Sequence, residues 1–226
     1  MNFPTPAATR TLTCRAVLFD MDGTLVDSTA VVEDVWAEFA ARYGLDIAEI
    51  LRTSHGVQAA DTVRRFAPGG ADIAALTEEL GGMERVRTAG IIALPGAADL
   101  LRSLPAQAVA LVTSADRTLA DIRMDAAGLA MPATAVTADL VTRGKPHPEG
   151  YLMAAGLLGV NPEDAVVFED APAGIAAGVA AGIRTVAVGP NAGELPAGVL
   201  HIPDYSAVTV SVEPDAAGRQ IISFRL

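Results

Sequence analysis

The sequence predicts an α/β fold in which an open parallel β-sheet is covered by helices on both faces. Four short apolar runs, each long enough for a buried strand, are separated along the chain by helical patterns. A long helical stretch and a C-terminal hairpin pattern depart from this alternation, so we also expect a small helical insert and a β-hairpin. The four apolar runs are 16–19, 108–112, 165–168 and 185–188.

Helical patterns follow the apolar runs at residues 95–104, 116–127, 149–158 and 173–181. The gap between the first two strands is too long for one crossover helix, and it is helical almost throughout. Within it, Val35, Trp36 and Phe39 fall on one face of a helix predicted over 31–43. We therefore expect a core formed by residues 1–28 and 94–226, and a helical cap domain formed by residues 29–93.

The C-terminal segment has a different pattern. Two stretches rich in β-forming residues, 207–214 and 219–224, flank the turn sequence DAAG. This predicts a β-hairpin, which we expect at a sheet edge.

Composition excludes several classes of partner. The chain has 226 residues, 51% hydrophobic residues, a formal net charge of −11 and a pI of about 4.6, so nucleic acid and anionic membranes are not expected partners. Cys14 is the only cysteine, which rules out a disulfide within the chain. With no signal-like segment near the N-terminus, these features predict a cytoplasmic protein, either a monomer or a weak homodimer.

The stretch FDMDGTLVDS places two carboxylates, Asp20 and Asp22, where the first buried strand ends. A polar turn with a helix cap is the simpler interpretation, but a cap needs one carboxylate rather than two. Paired carboxylates repel each other unless a cation lies between them or one is protonated. Mg²⁺ satisfies both groups through oxygen ligands and leaves room for a phosphate.

Two other strand ends also carry polar side chains. Thr113 and Ser114 follow the second apolar run, either as phosphate-binding groups or as an ordinary helix cap, and the residues alone leave both possibilities open. Glu169 and Asp170 follow the third run. Since ligands bind beyond the carboxyl ends of parallel strands, these groups should meet Asp20 and Asp22 at one sheet edge.

Lys145 is the only lysine in a chain with 15 arginines. A solvated surface lysine is the usual interpretation, but the rigid neighbours Pro146 and Pro148 favour a positioned ammonium. Carboxylates for a metal, a lysine and a hydroxyl at one sheet edge predict a phosphoryl-transfer site. The chain has no Walker-type glycine-rich loop, so ATP is not the expected substrate.

In order and spacing, the stretches DMDGTLVDS, VTS, GKPHPEGY and VFEDAPAGIAAG resemble the four motifs of the haloacid dehalogenase superfamily of phosphatases. The resemblance covers residues 16 to about 189 and implies a Rossmann-like core. The insert resembles the helical cap of the β-phosphoglucomutase-like subfamily. Longer stretches are most similar to its sugar-phosphatase group, which includes enzymes acting on glycerol phosphate and 2-deoxyglucose 6-phosphate.

The resemblance implies roles for the core residues. Asp20 would be the nucleophile that forms an aspartyl-phosphate, and Asp22 the general acid and base. Thr113, Ser114 and Lys145 would bind the transferring phosphoryl group, with Thr113 and Lys145 counted among the catalytic residues.

The resemblance also implies a metal site and a cap contact. Mg²⁺ would be held by Asp20, the backbone carbonyl of Asp22 and Asp170, with Glu169 either a ligand or just behind the ligands. His55 and Gly56, in the SHG loop of the cap, are candidate substrate contacts. A helix-capping role for His55 is an equal alternative.

Departures from relatives narrow the expected activity. The dehalogenases lack the second acid of the first motif, which is present here as Asp22, so dehalogenation is not expected. The phosphonate-cleaving relatives form a Schiff base with a cap lysine, and the cap of this chain has no lysine. We expect a Mg²⁺-dependent phosphatase acting on small sugar or polyol phosphates. A β-phosphoglucomutase-type mutase is the alternative enzyme, and it would have to bind its second phosphate with cap arginines such as Arg52, Arg64 and Arg65. A non-catalytic module that binds a phosphorylated ligand is the alternative from another class.

Overall fold

The computed structural model describes residues 10–190 and 192–226, so residues 1–9 and 191 of the predicted core lie outside the described residues. The described chain contains eleven β-strands and eight α-helices. The strands are β1 (Thr11–Cys14), β2 (Ala16–Phe19), β3 (Val26–Asp27), β4 (Ile92–Ala93), β5 (Val109–Val112), β6 (Thr134–Val136), β7 (Ala165–Glu169), β8 (Arg184–Val188), β9 (Leu200–Ile202), β10 (Thr209–Pro214) and β11 (Gln220–Arg225). The helices are α1 (Thr29–Tyr43), α2 (Ile47–Ser54), α3 (Ala59–Phe66), α4 (Ile73–Arg85), α5 (Ala97–Ser103), α6 (Arg117–Ala126), α7 (Glu149–Leu157) and α8 (Pro172–Ala180).

The predicted parallel sheet is confirmed. Six strands pair in the order β6-β5-β2-β7-β8-β9, and every pairing is parallel. The strand that carries the first motif, β2, is central, and its four residues are fully buried. Val17 and Phe19 belong to one hydrophobic cluster and Ala16 and Leu18 to another, as expected for a strand with both faces covered.

Helices α1 to α4 form a separate hydrophobic cluster that includes Val35, Trp36, Phe39, Ile50 and Leu80. The short antiparallel pair of β3 with β4 brings the entry and the exit of this helical insert together. The insert thus has apolar contacts of its own beside the sheet. The assignment of residues 29–93 as a distinct cap domain stays a prediction.

The predicted C-terminal hairpin is confirmed, and β10 lies at the edge of a second sheet that is separate from the parallel one. Strands β10 and β11 join β1 in a separate antiparallel sheet with the order β1-β11-β10. Ile222 and Phe224 of β11 are fully buried, and the Phe224 ring lies 5.3 Å from that of Phe168. Strand β11 therefore packs on the core through alternate side chains, a contact that requires strands from opposite ends of the chain.

The short strands β1, β6 and β9 were not predicted, since none is an uninterrupted apolar run. Across residues 10–190 and 192–226, none of the helices has the length and apolar character needed to cross a bilayer.

Candidate active site

The predicted site residues meet at the carboxyl edge of the parallel sheet. Asp20 follows β2, Thr113 follows β5 and Asp170 follows β7. The ladder continues into these positions, because the Asp20 amide donates to the Phe168 carbonyl at 3.0 Å and the Thr113 amide to the Val136 carbonyl at 2.9 Å. The register of neighbouring strands therefore holds these side chains at one level.

Lys145 is buried at the centre of this edge, although it comes from the loop before α7. Its Nζ donates to Asp20 Oδ1 and, at 2.7 Å, to Glu169 Oε1. Burial disfavours the charged ammonium, but the Asp20 and Glu169 carboxylates outweigh it and raise the pKa of Lys145 above its ordinary value. The interpretation of Lys145 as a solvated surface lysine is therefore wrong.

Glu169 is fully buried, and three groups of the protein donate to its carboxylate. Oε1 accepts from Lys145 and, at 3.1 Å, from the Tyr151 hydroxyl, and Oε2 accepts from the Ala171 amide at 3.0 Å. Both oxygens are therefore already engaged, which favours a role in holding Lys145 over direct metal ligation. Tyr151 was missed in the sequence, although it closes the GKPHPEGY stretch.

The small residues of α8 make room for this carboxylate. A Cβ at Gly174 would lie 1.4 Å from Glu169 Oε1, so no other residue fits there without moving Glu169. Gly23 has a comparable role in the first motif. Its φ is +80°, and a Cβ there would lie 2.0 Å from Asp170 Oδ2, so the turn after Asp22 requires glycine on both grounds.

Asp22 is held at both carboxylate oxygens. Oδ1 accepts from the Ser28 hydroxyl at 2.6 Å, and Oδ2 from Nη1 of Arg123 at 2.8 Å. The second guanidinium nitrogen of Arg123 donates to Glu84 Oε1 at 2.8 Å. Ser28, Glu84 and Arg123 were not predicted as site residues. Arg123 could have been recognised in the sequence, because it is a charged residue on the same face of α6 as the apolar Leu119 and Met124, and this face is buried.

Asp20, Glu169 and Asp170 each offer one oxygen within 4.8 Å of the others. Burial raises the pKa of Asp20 to about 7, against the opposing effect of Lys145. Burial, and then the neighbouring Glu169 carboxylate, raise the pKa of Asp170 well above its ordinary value. Carboxylates crowded in this way favour binding a cation, which would stabilise their ionised forms.

Thr113 and Ser114 do not cap α6. Asp116 caps it, because its Oδ1 accepts from the Leu119 amide at 2.8 Å. Thr113 Oγ1 accepts from the Ala115 amide at 3.1 Å, and Ser114 Oγ donates to the Gly56 carbonyl at 2.9 Å. The hydroxyl of Ser114 thus joins the core to the SHG loop of the insert.

A cavity of about 170 Å³ lies between the sheet edge and the insert. From the core it is lined by Asp20, Asp22, Thr113, Ser114 and Asp170, and from the insert by Trp36, His55, Gly56, Glu84 and Arg85, among others. His55 is also the C-cap residue of α2, directly after Ser54. The structure therefore brings both predicted residues of the insert to the same cavity as five of the predicted core residues. Glu169 and Lys145 do not line this cavity, and Lys145 contacts Asp20 from behind it.

Comparisons with known proteins show the family to which the chain belongs. A family model described as haloacid dehalogenase-like hydrolase matches residues 14–182. The chain is similar to hexitol phosphatase A of Escherichia coli (strain K12), with 44% identity over 211 residues that cover 89% of this chain and 96% of that protein. It is also similar to glycerol-1-phosphate phosphohydrolase 1 of Saccharomyces cerevisiae (strain ATCC 204508 / S288c), with 36% identity over 196 residues that cover 81% of this chain and 78% of that protein.

Among solved structures, β-phosphoglucomutase from Clostridium difficile matches with a TM-score of 0.74 and 24% identity, over 85% of this chain and 92% of that one, which is a likeness of fold. The family model spans most of the chain, and all four motifs lie within the residues that it matches. On these grounds the chain belongs to the haloacid dehalogenase-like hydrolases, the family that its motifs resemble.

Proposed function

We propose that this protein is a Mg²⁺-dependent phosphatase that hydrolyses small sugar or polyol phosphate monoesters. The observation that carries the proposal is the buried Lys145, which contacts Asp20 and Glu169 directly behind the cavity that Asp20, Asp22 and Asp170 line. Such a site offers a nucleophile, a proton carrier and a fixed positive charge to one phosphoryl group. The relatives named hexitol phosphatase and glycerol-1-phosphate phosphohydrolase support the substrate class.

In the proposed reaction, an Asp20 oxygen attacks phosphorus, and the bond between phosphorus and the ester oxygen breaks. Asp22 donates a proton to the departing alkoxide, which leaves as an alcohol. Asp22 then removes a proton from a water molecule, whose oxygen attacks the aspartyl-phosphate and releases inorganic phosphate. Lys145 offsets the negative charge that the phosphate brings to Asp20.

The residues present fit a divalent cation. The site contains four carboxylates, those of Asp20, Asp22, Glu169 and Asp170. Among the described residues, two cations contact them, Lys145 and Arg123, so negative charge is in excess. Asp20, Asp170 and the backbone carbonyl of Asp22 would hold the ion. When bound, Mg²⁺ would neutralise charge on the phosphoryl oxygens and orient the group for in-line attack.

The cavity favours a phosphatase over a mutase. A mutase of the proposed type must bind a second phosphate at the insert side. The two arginines that line the described cavity are each bound to two carboxylates, Arg85 to Glu78 and Asp116, and Arg123 to Asp22 and Glu84. Neither guanidinium therefore offers a free positive charge to the second phosphate that a mutase must bind. The hydroxyl-rich leaving group of a sugar or polyol phosphate does not need such a charge.

The remaining features of the proposal concern location and partners. A single buried cysteine is consistent with a reducing cytoplasm, where we place the activity. The acidic composition supports small phosphorylated metabolites as substrates rather than nucleic acid or anionic membranes. A monomer or weak homodimer stays a prediction.

The test is phosphate release by the purified protein, with and without Mg²⁺, across hexitol, hexose, deoxyhexose and glycerol phosphates. Asp20→Asn is the control, because it retains the shape of the nucleophile but removes its charge. We expect Mg²⁺-dependent release by the wild type and none by the variant. Conversion of β-glucose 1-phosphate to the 6-phosphate without phosphate release would instead support the mutase. Equal turnover by Asp20→Asn would contradict the mechanism, and phosphate binding without any turnover would support a binding module.

A further inference from the structure

Two ion pairs join helix α4 of the insert to helix α6 of the core, and they have opposite polarity. Glu84 pairs with Arg123 at 2.8 Å, and the adjacent Arg85 pairs with Asp116 at 3.0 Å. Because each helix contributes one acidic and one basic side chain, both ion pairs form only in this register of α4 on α6. These contacts hold the insert on the core on the side of the cavity where Asp22 lies.

The two pairs differ in burial and in what lies beyond them. The side chains of Arg85 and Asp116 are 26% and 38% exposed, whereas those of Glu84 and Arg123 are 10% and 5% exposed. Both pairs reach the cavity, but only the buried pair contacts a predicted catalytic residue, because the same guanidinium of Arg123 also donates to Asp22. The planar guanidinium can contact two carboxylates at once, which a lysine ammonium does less well.

The bond to Arg123 does not prevent Asp22 from acting. Its side chain remains 28% exposed, and the residue lines the cavity. A carboxylate oxygen has two lone pairs, so the oxygens bound by Arg123 and Ser28 can each still accept a proton or a hydrogen bond. The two donors therefore orient the carboxylate without blocking it.

We propose that Arg123 is a positioning residue for Asp22, and that Glu84 makes this positioning depend on the insert being seated on the core. The inference rests on the phosphatase function proposed above. If the insert lifts away, Glu84 leaves with it, and Arg123 loses one of its two anchors. The proton carrier Asp22 is therefore held most firmly when the insert is seated and the cavity is closed against water.

Leaving groups of different acidity separate this role from a merely structural one. An alkoxide must receive a proton as it departs, whereas 4-nitrophenolate is stable without one. A misplaced Asp22 should therefore slow the first step with an alkyl phosphate much more than with 4-nitrophenyl phosphate. General damage to the site would slow both substrates alike.

The experiment measures leaving-group release in the first turnover, at saturating glycerol phosphate and at saturating 4-nitrophenyl phosphate with Mg²⁺. The main variant is the double substitution Arg123→Met with Glu84→Leu, which removes both buried charges and leaves neither of these two partners unpaired. Arg123→Lys is a second variant that keeps a positive charge. Asp116→Asn is the matched control, because it breaks the other ion pair between the insert and the core, and asparagine still caps α6.

We expect the double variant to lower the alkyl-to-aryl rate ratio at least about tenfold, an effect typical of a catalytic group displaced by a fraction of an ångström. Arg123→Lys should lower this ratio less, because it keeps a positive charge. Asp116→Asn should leave the ratio unchanged. An unchanged ratio in a folded double variant and in Arg123→Lys would overturn the inference, as would an equal fall in Asp116→Asn. A wild-type protein inactive on both substrates would instead overturn the proposed function on which the inference rests.

Discussion

Replacing Gly174 by alanine should damage both stability and activity, although the same change usually stabilises a helix. The added methyl group would lie 1.4 Å from Glu169 Oε1 and 2.0 Å from its Cδ, so Glu169 must move. This carboxylate has no exposed surface into which to move, and it holds Lys145, Tyr151 and the Ala171 amide. Any displacement therefore separates a buried ion pair.

The expected size of the effect follows from two opposing terms. Glycine to alanine within a helix stabilises by roughly 0.5–1 kcal/mol. Breaking a buried ion pair so that one charge is left uncompensated costs about 3–5 kcal/mol. The free energy of unfolding should therefore fall by roughly 2–4 kcal/mol, and the melting temperature by roughly 4–16 °C in a chain of this size.

The assay is thermal unfolding followed by circular dichroism, with phosphate release measured on the same samples. Gly156→Ala is the matched control, because Gly156 is an exposed position of α7 and a Cβ there has nothing within 4 Å. It should raise the free energy of unfolding by up to about 1 kcal/mol. If Gly174→Ala melted at the same temperature as Gly156→Ala, the argument that α8 is shaped around Glu169 would be wrong.

Three further predictions concern single side chains. Lys145→Met should abolish phosphate release and lower the free energy of unfolding by about 3–5 kcal/mol, measured by urea unfolding, because Asp20 and Glu169 lose their shared cation; a fully stable variant would contradict this. Mg²⁺ at about 100 times its dissociation constant should stabilise the wild type by about 2.7 kcal/mol and so raise its melting temperature. In Asp170→Asn, Mg²⁺ should not raise the melting temperature. An equal rise in both proteins would exclude Asp170 as a ligand. Burial raises the pKa of the Cys14 thiol to about 12 from 9.0, so a thiol reagent at pH 8 should label the native protein far more slowly than the urea-unfolded chain. Because the unfolded thiol ionises first, this group's contribution to stability should be lost as the pH rises from about 9 to 12; rapid native labelling would show that Cys14 is accessible.

Much of the fold and of the site could be predicted from local sequence. An apolar run such as 16–19 predicts a buried strand by itself, and parallel strands place whatever follows them at one edge. Asp20, Thr113 and Asp170 are therefore found together, as the strand ends predicted. Lys145 was identified differently, as the one ammonium in a chain that otherwise uses arginine.

What local sequence does not determine is which partner each side chain takes. The sequence left open whether Glu169 is a metal ligand or lies just behind the ligands, and only the packed structure shows that both of its oxygens accept hydrogen bonds from groups of the protein. The predicted hairpin pairs with β1, some 200 residues away along the chain. Both outcomes depend on which surfaces meet when the elements pack, and no single strand or helix contains that information.

The sequence by itself therefore determined the parallel sheet and the chemistry at its edge, since both depend on periodicity within one strand and on the residues directly after it. Only the tertiary structure decided that Arg123 bridges two carboxylates, that of Asp22 in the core and that of Glu84 in the insert. Along the chain, Glu84 lies 39 positions from Arg123 and Asp22 lies 101 positions from it. Their contact exists because α4 packs on α6, and a buried guanidinium is stable only where such packing supplies it with carboxylates.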